Sequence, residues 1–409
     1  MFSAKYRLTR LLTAIVCLTA CGASIYGESP LDFPRSQNAN VGIVVIDLSS
    51  GDTIVCCNGD RMLTPASITK CVTAAAIEMA GLAEETYTTD VFLRGSRDGN
   101  GKFYGDIVIK ASGDPTVESG HFPGKGEIIG VITSALNREN IREIYGALEI
   151  DSVSMKEQGP VSTWEIGDLR HAYGAGLYAL NYQDNSTGQL SLEDPGEELL
   201  IALEERLDRD SIDVDWNDVA PVPGVLRPIA TLRSPTLAEI LRVTLEKSHN
   251  LYAEAMLRRL APWGYRADAL KREQTLLTDA GLDIESARIY DGSGLTRANS
   301  MTPHFLASLL EYSIRQPWGN RYLGYFPLAG SEGTVRRLLA TSPLSGQLAL
   351  KSGSMNGVQT YAGYKLDSKG NPTHVVVIMV NDFTTARQRV VKAIETYLES
   401  LFLENNNDE

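Results

Sequence analysis

The chain has 409 residues, of which 43% are hydrophobic and 22% charged, and its formal net charge is −13. This length allows more than one buried core, and the composition is that of an ordinary globular protein. The acidic balance disfavours binding to nucleic acid or to an anionic membrane surface, because both carry negative charge.

Residues 1–28 have the pattern of a targeting segment. Three basic residues occur within the first ten positions, and an apolar stretch follows over 11–20, which is the order found in export signals. The residues around Cys21 resemble a bacterial lipoprotein signal, in which Cys21 would carry the lipid; ordinary cleavage nearby is the alternative. Both interpretations predict an exported protein, either in the periplasm or anchored to the membrane and facing it, with 24–40 as the tether.

Two alternating stretches, 41–48 and 52–57, predict a β-hairpin. Cys56 and Cys57 lie in its second strand, where neighbouring side chains point to opposite faces. A disulfide between one of them and Cys71 is conceivable in an oxidising compartment, and small buried thiols are the alternative. The cysteines and the five scattered histidines lack the spacing of a metal site, so we expect no metal and no cofactor.

The string from Ser67 to Lys70 lies where a turn leads into a predicted helix, after Pro65 and before an apolar run over 72–79. Residues three apart share one face of a helix, so the Ser67 hydroxyl and the Lys70 amine can meet. A serine with a base in reach is the starting point of a nucleophilic hydrolase. Taken alone, the string is more typical of an ordinary capped amphipathic helix.

A second string, Ser248-His249-Asn250, separates two apolar helical runs over 237–245 and 251–260. The pattern predicts a helix–turn–helix junction. A lone match of this kind would be interpreted as a polar N-cap.

A third string, Lys351-Ser352-Gly353, ends an alternating stretch over 347–351, and β-prone runs over 358–366 and 374–380 follow in the pattern of an antiparallel meander. Gly353 would let a helix or ligand approach the strand edge closely. A final helix over 384–403 has apolar residues at helical spacing. It would cover one face of an α/β core, and the helix that carries Ser67 would cover the other.

The three strings occur in one order, and each lies in a suitable local element. Together they supply a serine nucleophile, a lysine base, a second serine to relay protons and a cationic strand edge, a set that resembles the signature of penicillin-binding proteins and serine β-lactamases. Further stretches are similar to one branch, the D-alanyl-D-alanine carboxypeptidase/endopeptidase family of class C low-molecular-mass penicillin-binding proteins. They are Gly113–Thr116, Trp164–Asp168, Tyr290–Arg297 and Lys351–Val358.

The resemblance implies an α/β fold: a serine β-lactamase/transpeptidase-like domain, with an antiparallel sheet flanked by helices, and an inserted α+β domain. Ser67 and Ser248 are 181 positions apart, which exceeds the gap in compact relatives. We therefore expect the catalytic domain at 29–85 and 236–409 and the inserted domain at 86–235. The insertion would open with a glycine-rich turn segment over 95–105, contain β-prone runs at 106–110 and 144–150, and close near 221–224; a third nested domain would be reduced or absent over 186–218.

The resemblance also implies catalytic roles. Ser67 would attack the carbonyl of a D-Ala-D-Ala bond, and Lys70, kept partly neutral among other cations, would take its proton. Ser248, helped by Lys351, would pass a proton to the leaving nitrogen, while Asn250 would orient Lys70 and the substrate amide. Backbone N–H groups of Ser67 and Ser354 would form the oxyanion hole.

Substrate contacts follow from the same resemblance. The hydroxyls of Ser352 and Ser354, beside Gly353, would bind the terminal carboxylate together with Lys351. A second group of side chains would hold the free end of a diaminopimelate residue, because carboxylates suit an ammonium and a guanidinium suits a carboxylate. These are Asp168, Tyr173, Arg297 and Asn356.

The expected substrates are the stem peptides of peptidoglycan, with β-lactams as covalent inhibitors of Ser67. Endopeptidase activity is expected as well, since both kinds of bond begin at a D-alanine carbonyl. The alternatives are a serine β-lactamase or esterase, which needs fast deacylation, and a non-catalytic scaffold that binds peptidoglycan.

Overall fold

The computed structural model describes Leu31 and residues 39–152, 155–216, 224–262 and 264–403. The predicted targeting segment, with Cys21, and most of the predicted closing segment at 221–224 lie outside these ranges. Across the described ranges, no helix combines the length and apolar character needed to cross a membrane.

The strands, in chain order, are β1 (Asn40–Asp47), β2 (Thr53–Cys57), β3 (Thr86–Arg97), β4 (Lys102–Lys110), β5 (Glu143–Gly146), β6 (Leu148–Asp151), β7 (Ser186–Thr187), β8 (Leu190–Ser191), β9 (Asp213–Trp216), β10 (Arg227–Thr236), β11 (Ala287–Arg288), β12 (Ser300–Met301), β13 (Leu348–Met355), β14 (Val358–Leu366) and β15 (Pro372–Asn381). The helices are α1 (Thr69–Met79), α2 (Ile128–Arg138), α3 (Pro195–Arg209), α4 (Leu237–Lys247), α5 (Asn250–Arg259), α6 (Arg266–Asp279), α7 (Pro303–Ile314), α8 (Gly319–Leu323) and α9 (Arg387–Leu403).

The first sheet joins the two ends of the chain. Its order is β13-β14-β15-β1-β2, and every neighbouring pair is antiparallel. The register places Val44 opposite Val377 and Val45 opposite Val376. This arrangement confirms the predicted antiparallel sheet, with the hairpin at one side and the meander at the other.

Alternation along the central strands separates two cores. Val44 and Val377 pack on the face that is covered by α1, α4, α5 and α7, whereas Val45 and Val376 pack against α9 on the other face. Successive side chains of a strand point to opposite faces, so the buried runs of β1 and β15 supply both cores at once. The prediction that the last helix and the Ser67 helix flank opposite faces is confirmed.

Two boundaries differ from the predicted ones. The last helix begins at Arg387 instead of 384, because the chain leaves β15 through Asp382 in a left-handed conformation with φ 59°. Strand β13 continues to Met355, so Lys351 lies in mid-strand and not at a strand end. Ser352 and Ser354 are therefore strand residues on one face of β13, with Gly353 between them.

The second sheet lies within the segment between Thr86 and Thr236. Its order is β10-β3-β4-β5-β9, and β6 also pairs with β4. Helices α2 and α3 pack on it, with α3 contributing Leu199, Leu203 and Leu207 to a separate core. The stretch expected to hold a reduced nested domain thus supplies part of this core.

The glycine-rich stretch over 95–105 contains a turn at 98–101, as predicted, but this turn is only its middle part. Most of it belongs to β3 and β4, where Gly95 pairs directly with Gly105. A Cβ added at Gly95 would lie 2.2 Å from the main-chain oxygen of Tyr104. The glycines therefore permit a close approach of two paired strands.

The three cysteines of the described chain form no disulfide. Cys57 is half-buried, and Cys56 is exposed, with its Sγ 3.5 Å from His304 Nε2. Cys71 is buried, and burial raises the pKa of its thiol to about 12. The buried-thiol alternative thus holds for Cys71 and is wrong for Cys56.

Candidate active site

The nucleophile lies on a short 3-10 turn, Ala66–Ile68, that runs directly into α1. Ala66 has a left-handed conformation with φ 51°, which is costly for a residue with a side chain and is typical of functional sites. Lys70 follows in the first turn of α1 and is fully buried. Its Nζ lies 3.0 Å from Ser67 Oγ, so the three-residue spacing brings the two groups together.

Two oxygens that only accept hydrogen bonds fix the amine of Lys70. Nζ donates to Asn250 Oδ1 at 2.6 Å and to the main-chain oxygen of Ser293 at 2.6 Å. A neutral amine has two protons and one lone pair. With both protons given to Asn250 and Ser293, the lone pair faces the hydroxyl of Ser67.

Burial favours this neutral form. Loss of hydration lowers the pKa of Lys70 to about 7, against the opposing effect of the carboxyls of Asp291 and Glu254. The sequence also predicts a lowered pKa, but attributes it to neighbouring cations. Desolvation is the main cause for Lys70, and the expected repulsion between cations acts between Lys70 and Lys351, where it lowers the pKa of Lys351.

Asp291 holds together two of the stretches that carried the resemblance. Its buried carboxylate accepts hydrogen bonds from Trp164 Nε1 at 2.9 Å and from the backbone N–H groups of Gly294 and Thr296, each at 2.8 Å. The loop from 290 to 297 is thereby fixed behind the nucleophile. This loop supplies the Ser293 oxygen that binds Lys70.

Ser248 and Lys351 form a second serine–lysine pair. Ser248 ends α4 in a left-handed conformation, with φ 60° and ψ 40°, at the predicted helix junction. Lys351 Nζ donates to Ser248 Oγ at 2.9 Å and to the main-chain oxygen of Ser352 at 2.6 Å. Burial, reinforced by Lys70, places the pKa of Lys351 well below its ordinary value.

Gly353 brings β13 against the nucleophile turn. A Cβ at this position would lie 2.9 Å from the Ser67 nitrogen and 2.7 Å from the Pro65 oxygen. Thr360, the strand partner of Gly353, donates from Oγ1 to the same Pro65 oxygen at 2.7 Å. Only a glycine at position 353 therefore allows the edge of β13 to contact the backbone of the turn that carries Ser67.

All twelve residues singled out in the sequence meet at one place. A cleft of about 780 Å³ is lined by nine of them: Ser67, Asp168, Tyr173, Ser248, Asn250, Arg297, Ser352, Ser354 and Asn356. The other three lie in its wall. Lys70 and Lys351 are buried behind the two serines, and Gly353 is part of the strand that forms one side.

The residues expected to hold a head group form a linked cluster. Tyr173 donates from its hydroxyl to Asp168 Oδ1 at 3.0 Å, and its main-chain oxygen accepts from Asn250 Nδ2 at 2.7 Å. Arg297 lies 2.8 Å from Glu165 and donates to the main-chain oxygen of Asn356 at 3.3 Å. Opposite charges thus face one cleft, as a zwitterionic ligand requires.

Several members of the site have no role that the sequence assigns. Glu165 pairs with Arg297 and lines the cleft. Thr334 shares a hydrogen bond of 2.7 Å with the Ser352 hydroxyl, and Arg337 adds a positive charge to the same lining. Glu165 lies inside a stretch that carried the resemblance, whereas no pattern marks Thr334 or Arg337.

Comparison with known proteins agrees with this fold. The chain is similar to a D-alanyl-D-alanine carboxypeptidase, DacB, of Haemophilus influenzae, with 22% identity over 85% of this chain and 87% of the relative. The crystal structure of penicillin binding protein 4 (dacB) from Haemophilus influenzae superposes with a TM-score of 0.77 at 20% identity, covering 91% of this chain and 98% of that chain. A predatory endopeptidase of Bdellovibrio bacteriovorus, solved with its immunity protein, gives a TM-score of 0.60 at 15% identity over 90% and 94% of the two chains.

The family model described as D-Ala-D-Ala carboxypeptidase 3 (S13) matches residues 28–215 and 213–401. These two matches cover the hairpin, the nucleophile helix, the second sheet and the meander. The resemblance seen in the sequence is therefore confirmed, and this chain belongs to the D-Ala-D-Ala carboxypeptidase 3 (S13) family.

Proposed function

We propose that the chain is a serine D-Ala-D-Ala carboxypeptidase that also acts as an endopeptidase on peptidoglycan peptides. The observation that carries the proposal is the placement of a buried amine, Lys70, 3.0 Å from Ser67 Oγ with its other two contacts made to Asn250 and Ser293. This arrangement supports an activated nucleophile.

In the first step, Ser67 Oγ attacks the carbonyl carbon before the terminal D-alanine and its proton moves to Lys70 Nζ. The developing oxyanion accepts hydrogen bonds from the backbone N–H groups of Ser67 and Ser354. Each such donor contributes about 3–4 kcal/mol to lowering the barrier. The close approach of Gly353 to the backbone of Ser67 supports an oxyanion hole that is formed jointly by β13 and the turn that carries Ser67.

In the second step, the carbon–nitrogen bond breaks and the leaving nitrogen takes a proton from Ser248 Oγ. Ser248 Oγ is reprotonated by the proton that Lys70 Nζ took from Ser67, while Lys351 Nζ, 2.9 Å away, holds the Ser248 hydroxyl in place; Lys70 is then neutral again. D-alanine departs and leaves an ester on Ser67. Water then attacks the ester with the neutral Lys70 as the base, and the proton that Lys70 takes from water passes to Ser67 Oγ as the ester bond breaks, which releases the shortened peptide and regenerates the serine.

The terminal carboxylate of the substrate is bound at the edge of β13. The hydroxyls of Ser352 and Ser354 line the cleft there, with Thr334 holding the Ser352 hydroxyl. Arg337 supplies positive charge to the same region, so the carboxylate is not stabilised by Lys351 alone. Charge-assisted hydrogen bonds of this kind are stronger than neutral ones.

The proposed site of action is outside the cytoplasmic membrane. The basic start and apolar stretch within 1–28 support export, and the residues around Cys21 support a lipid anchor that tethers the enzyme next to peptidoglycan.

Retention of a fluorescent penicillin tests the proposal. The parent enzyme should be labelled at Ser67 and keep the label after washout, and the same preparation should release D-alanine from a D-Ala-D-Ala peptide. Slow release is expected because the two carboxylates of the cleft, Glu165 and Asp168, are engaged by Arg297 and Tyr173. Rapid loss of label would instead indicate a β-lactamase, and absence of label from folded protein would indicate a binding scaffold. Ser67→Ala is the matched control and should not be labelled.

Asp168→Ala should lower turnover of a peptide that carries a free diaminopimelate head group by about tenfold or more, since a charged hydrogen bond is worth about 1.5–3 kcal/mol. Turnover of the same peptide without the head group should not change. The ratio of kcat/KM values for the two peptides is the measurement. Equal effects on both peptides, or none on either, would show that Asp168 does not contact this group.

A further inference from the structure

Three residues far apart in the sequence converge behind the second catalytic string. His121 lies on the loop between β4 and α2, Asp184 lies on a short turn before β7, and His249 lies between Ser248 and Asn250 at the α4–α5 junction. Their ligand-type atoms all lie within 4.8 Å of one another. The spacing of the histidines in the chain does not indicate this cluster.

Both imidazoles point an Nε2 atom at the same carboxylate. His121 Nε2 lies 3.9 Å from Asp184 Oδ2, and His249 Nε2 lies 3.9 Å from Asp184 Oδ1. These distances are too long for hydrogen bonds. They are longer than the separation of about 3.3 Å that two donor atoms have on one tetrahedral metal with bonds of about 2.0–2.1 Å, so a bound ion would draw the three groups slightly inward.

The protonation of His249 leaves an unsatisfied contact in either tautomer. A neutral imidazole carries one proton, either on Nδ1 or on Nε2. With its proton on Nδ1, which is buried and has no hydrogen-bond partner within the described chain, the Nε2 lone pair faces a carboxylate. With its proton on Nε2, the N–H is too far from Asp184 to bond. A cation between the three groups removes the repulsion between the Nε2 lone pair of His249 and the carboxylate of Asp184.

Asp184 also lacks a cationic partner. Over the described chain, its ion-pair contacts are with His121 and His249 and with no lysine or arginine. Its carboxylate accepts a hydrogen bond from the Tyr252 hydroxyl at 2.7 Å, and Tyr252 stacks on His249 with ring centroids 3.9 Å apart. The carboxylate and the His249 ring are thus held in place around a local excess of negative charge.

Backbone strain supports a functional position for this turn. Gln183, Asp184 and Asn185 all have positive φ values, of 49°, 57° and 51°. The buried Asn185 side chain donates to Gly176 and Asn181 and fixes the turn. Strain of this kind persists only where the surrounding structure over-determines it.

We propose that His121, Asp184 and His249 bind one Zn²⁺ ion, with water in the fourth position. Two imidazole nitrogens and one carboxylate oxygen are a ligand set that suits zinc rather than Mg²⁺ or Ca²⁺. None of the three residues is in the lining of the substrate cleft, so the ion has a structural role. It ties the segment carrying His121 and Asp184 to the backbone that positions Ser248 and Asn250.

The test uses the full chain after removal of metal with a chelator. Titration with Zn²⁺ alone, followed by calorimetry, should show one equivalent bound with a Kd in the micromolar range or below and a raised Tm, while Mg²⁺ and Ca²⁺ should leave both unchanged. His121→Ala and Asp184→Asn should each weaken the affinity for Zn²⁺ by at least tenfold. Asp184→Asn keeps an oxygen for the Tyr252 hydroxyl, which makes it the variant that best preserves the fold.

His171→Ala is the matched control, because it removes an exposed histidine from the same segment and should leave Zn²⁺ affinity unchanged. Circular dichroism verifies that each variant is folded. Absence of Zn²⁺ binding to folded parent protein, equal affinity in the His121 and Asp184 variants, or preference for Mg²⁺ or Ca²⁺ would each overturn the proposal. These readouts do not depend on peptidase activity, so they succeed or fail separately from the proposed reaction.

Discussion

Replacing Lys70 by methionine should slow acylation of Ser67 by penicillin by about 10²–10⁴-fold, which is the usual contribution of a positioned general base. Methionine has a similar length and fits an irregular buried site, but it cannot accept the proton of Ser67. The change also leaves Asn250 Oδ1 and the Ser293 oxygen without the amine that donates to them in the parent. Acylation is measured as the rate at which the mass of intact protein increases during incubation with the antibiotic.

Lys70→Arg separates loss of the base from loss of the hydrogen bonds. Arginine can still donate to Asn250 and Ser293, but its guanidinium stays protonated at all accessible pH values. We therefore expect Lys70→Arg to be acylated nearly as slowly as Lys70→Met while its Tm stays closer to that of the parent. Acylation of the arginine variant at the parental rate would show that Lys70 acts only as a hydrogen-bond donor.

The same role of Lys70 has a pH signature. Because burial lowers the pKa of Lys70 to about 7, the neutral base is the main form above that pH and the ammonium is the main form below it. The acylation rate should rise about tenfold per pH unit below pH 7 and level off above it. In Lys70→Arg this rise should disappear. A rate that falls with increasing pH over this range would have the wrong sign for a neutral amine acting as base.

The features that can be predicted from the sequence are those that depend on the spacing of residues within one helix or one strand. The Ser67 to Lys70 interval places two groups on one helical face whatever surrounds them. Likewise, the residue pattern of β1 and β15 indicates that both faces of these strands are buried, whichever strands lie beside them. The pairing of β1 with β15 could be predicted only from the resemblance to the carboxypeptidase family, because alternation does not show which strands are neighbours.

Contacts made by main-chain atoms cannot be predicted from a sequence pattern. The oxygens of Ser293 and Tyr173 accept hydrogen bonds from Lys70 and Asn250, and any residue type could supply them. The cause of the lowered pKa of Lys70 was missed for a related reason: desolvation depends on how many elements cover the amine, and that is a property of the assembled core.

The glycines over 95–105 show a second limit of prediction from the sequence. Gly95 and Gly105 favour a turn when only their sequence is considered. In the fold they are strand partners, since a residue without Cβ serves equally for a turn and for the close approach of two backbones. Three-dimensional context decides between these uses.

The cluster of His121, Asp184 and His249 was missed because its members come from three separate loops. Close metal-ligand spacing within one helix or turn is visible in a sequence, whereas convergence of loops is not. The expectation of no metal was drawn from spacing alone. It disagrees with the zinc site proposed here, because spacing in the sequence cannot report groups that the fold brings together.

Gly294→Ala should reduce both stability and acylation. Gly294 has a φ of +77°, and a Cβ there would lie 2.0 Å from the main-chain oxygen of Ala66 and 2.8 Å from Thr69 Oγ1. The left-handed conformation alone costs a residue with a side chain about 1–2 kcal/mol, and the clash pushes on the residue that precedes Ser67. We expect a free energy of unfolding lower by more than about 3 kcal/mol and acylation slowed by about 10²-fold, the usual effect of a displacement of about 1 Å.

Gly281→Ala is the matched control. Gly281 has nearly the same φ, +78°, but apart from its chain neighbours no atom of the described chain lies within 4 Å of the position that a Cβ would take. It should therefore lose only the conformational contribution of about 1–2 kcal/mol and acylate at the parental rate. Denaturant unfolding and acylation of the two variants, measured side by side, separate backbone strain from displacement of the nucleophile. If the two alanine variants behave alike, the Gly294 loop does not set the position of Ser67, and the left-handed Ala66 is maintained by α1 and β13 alone.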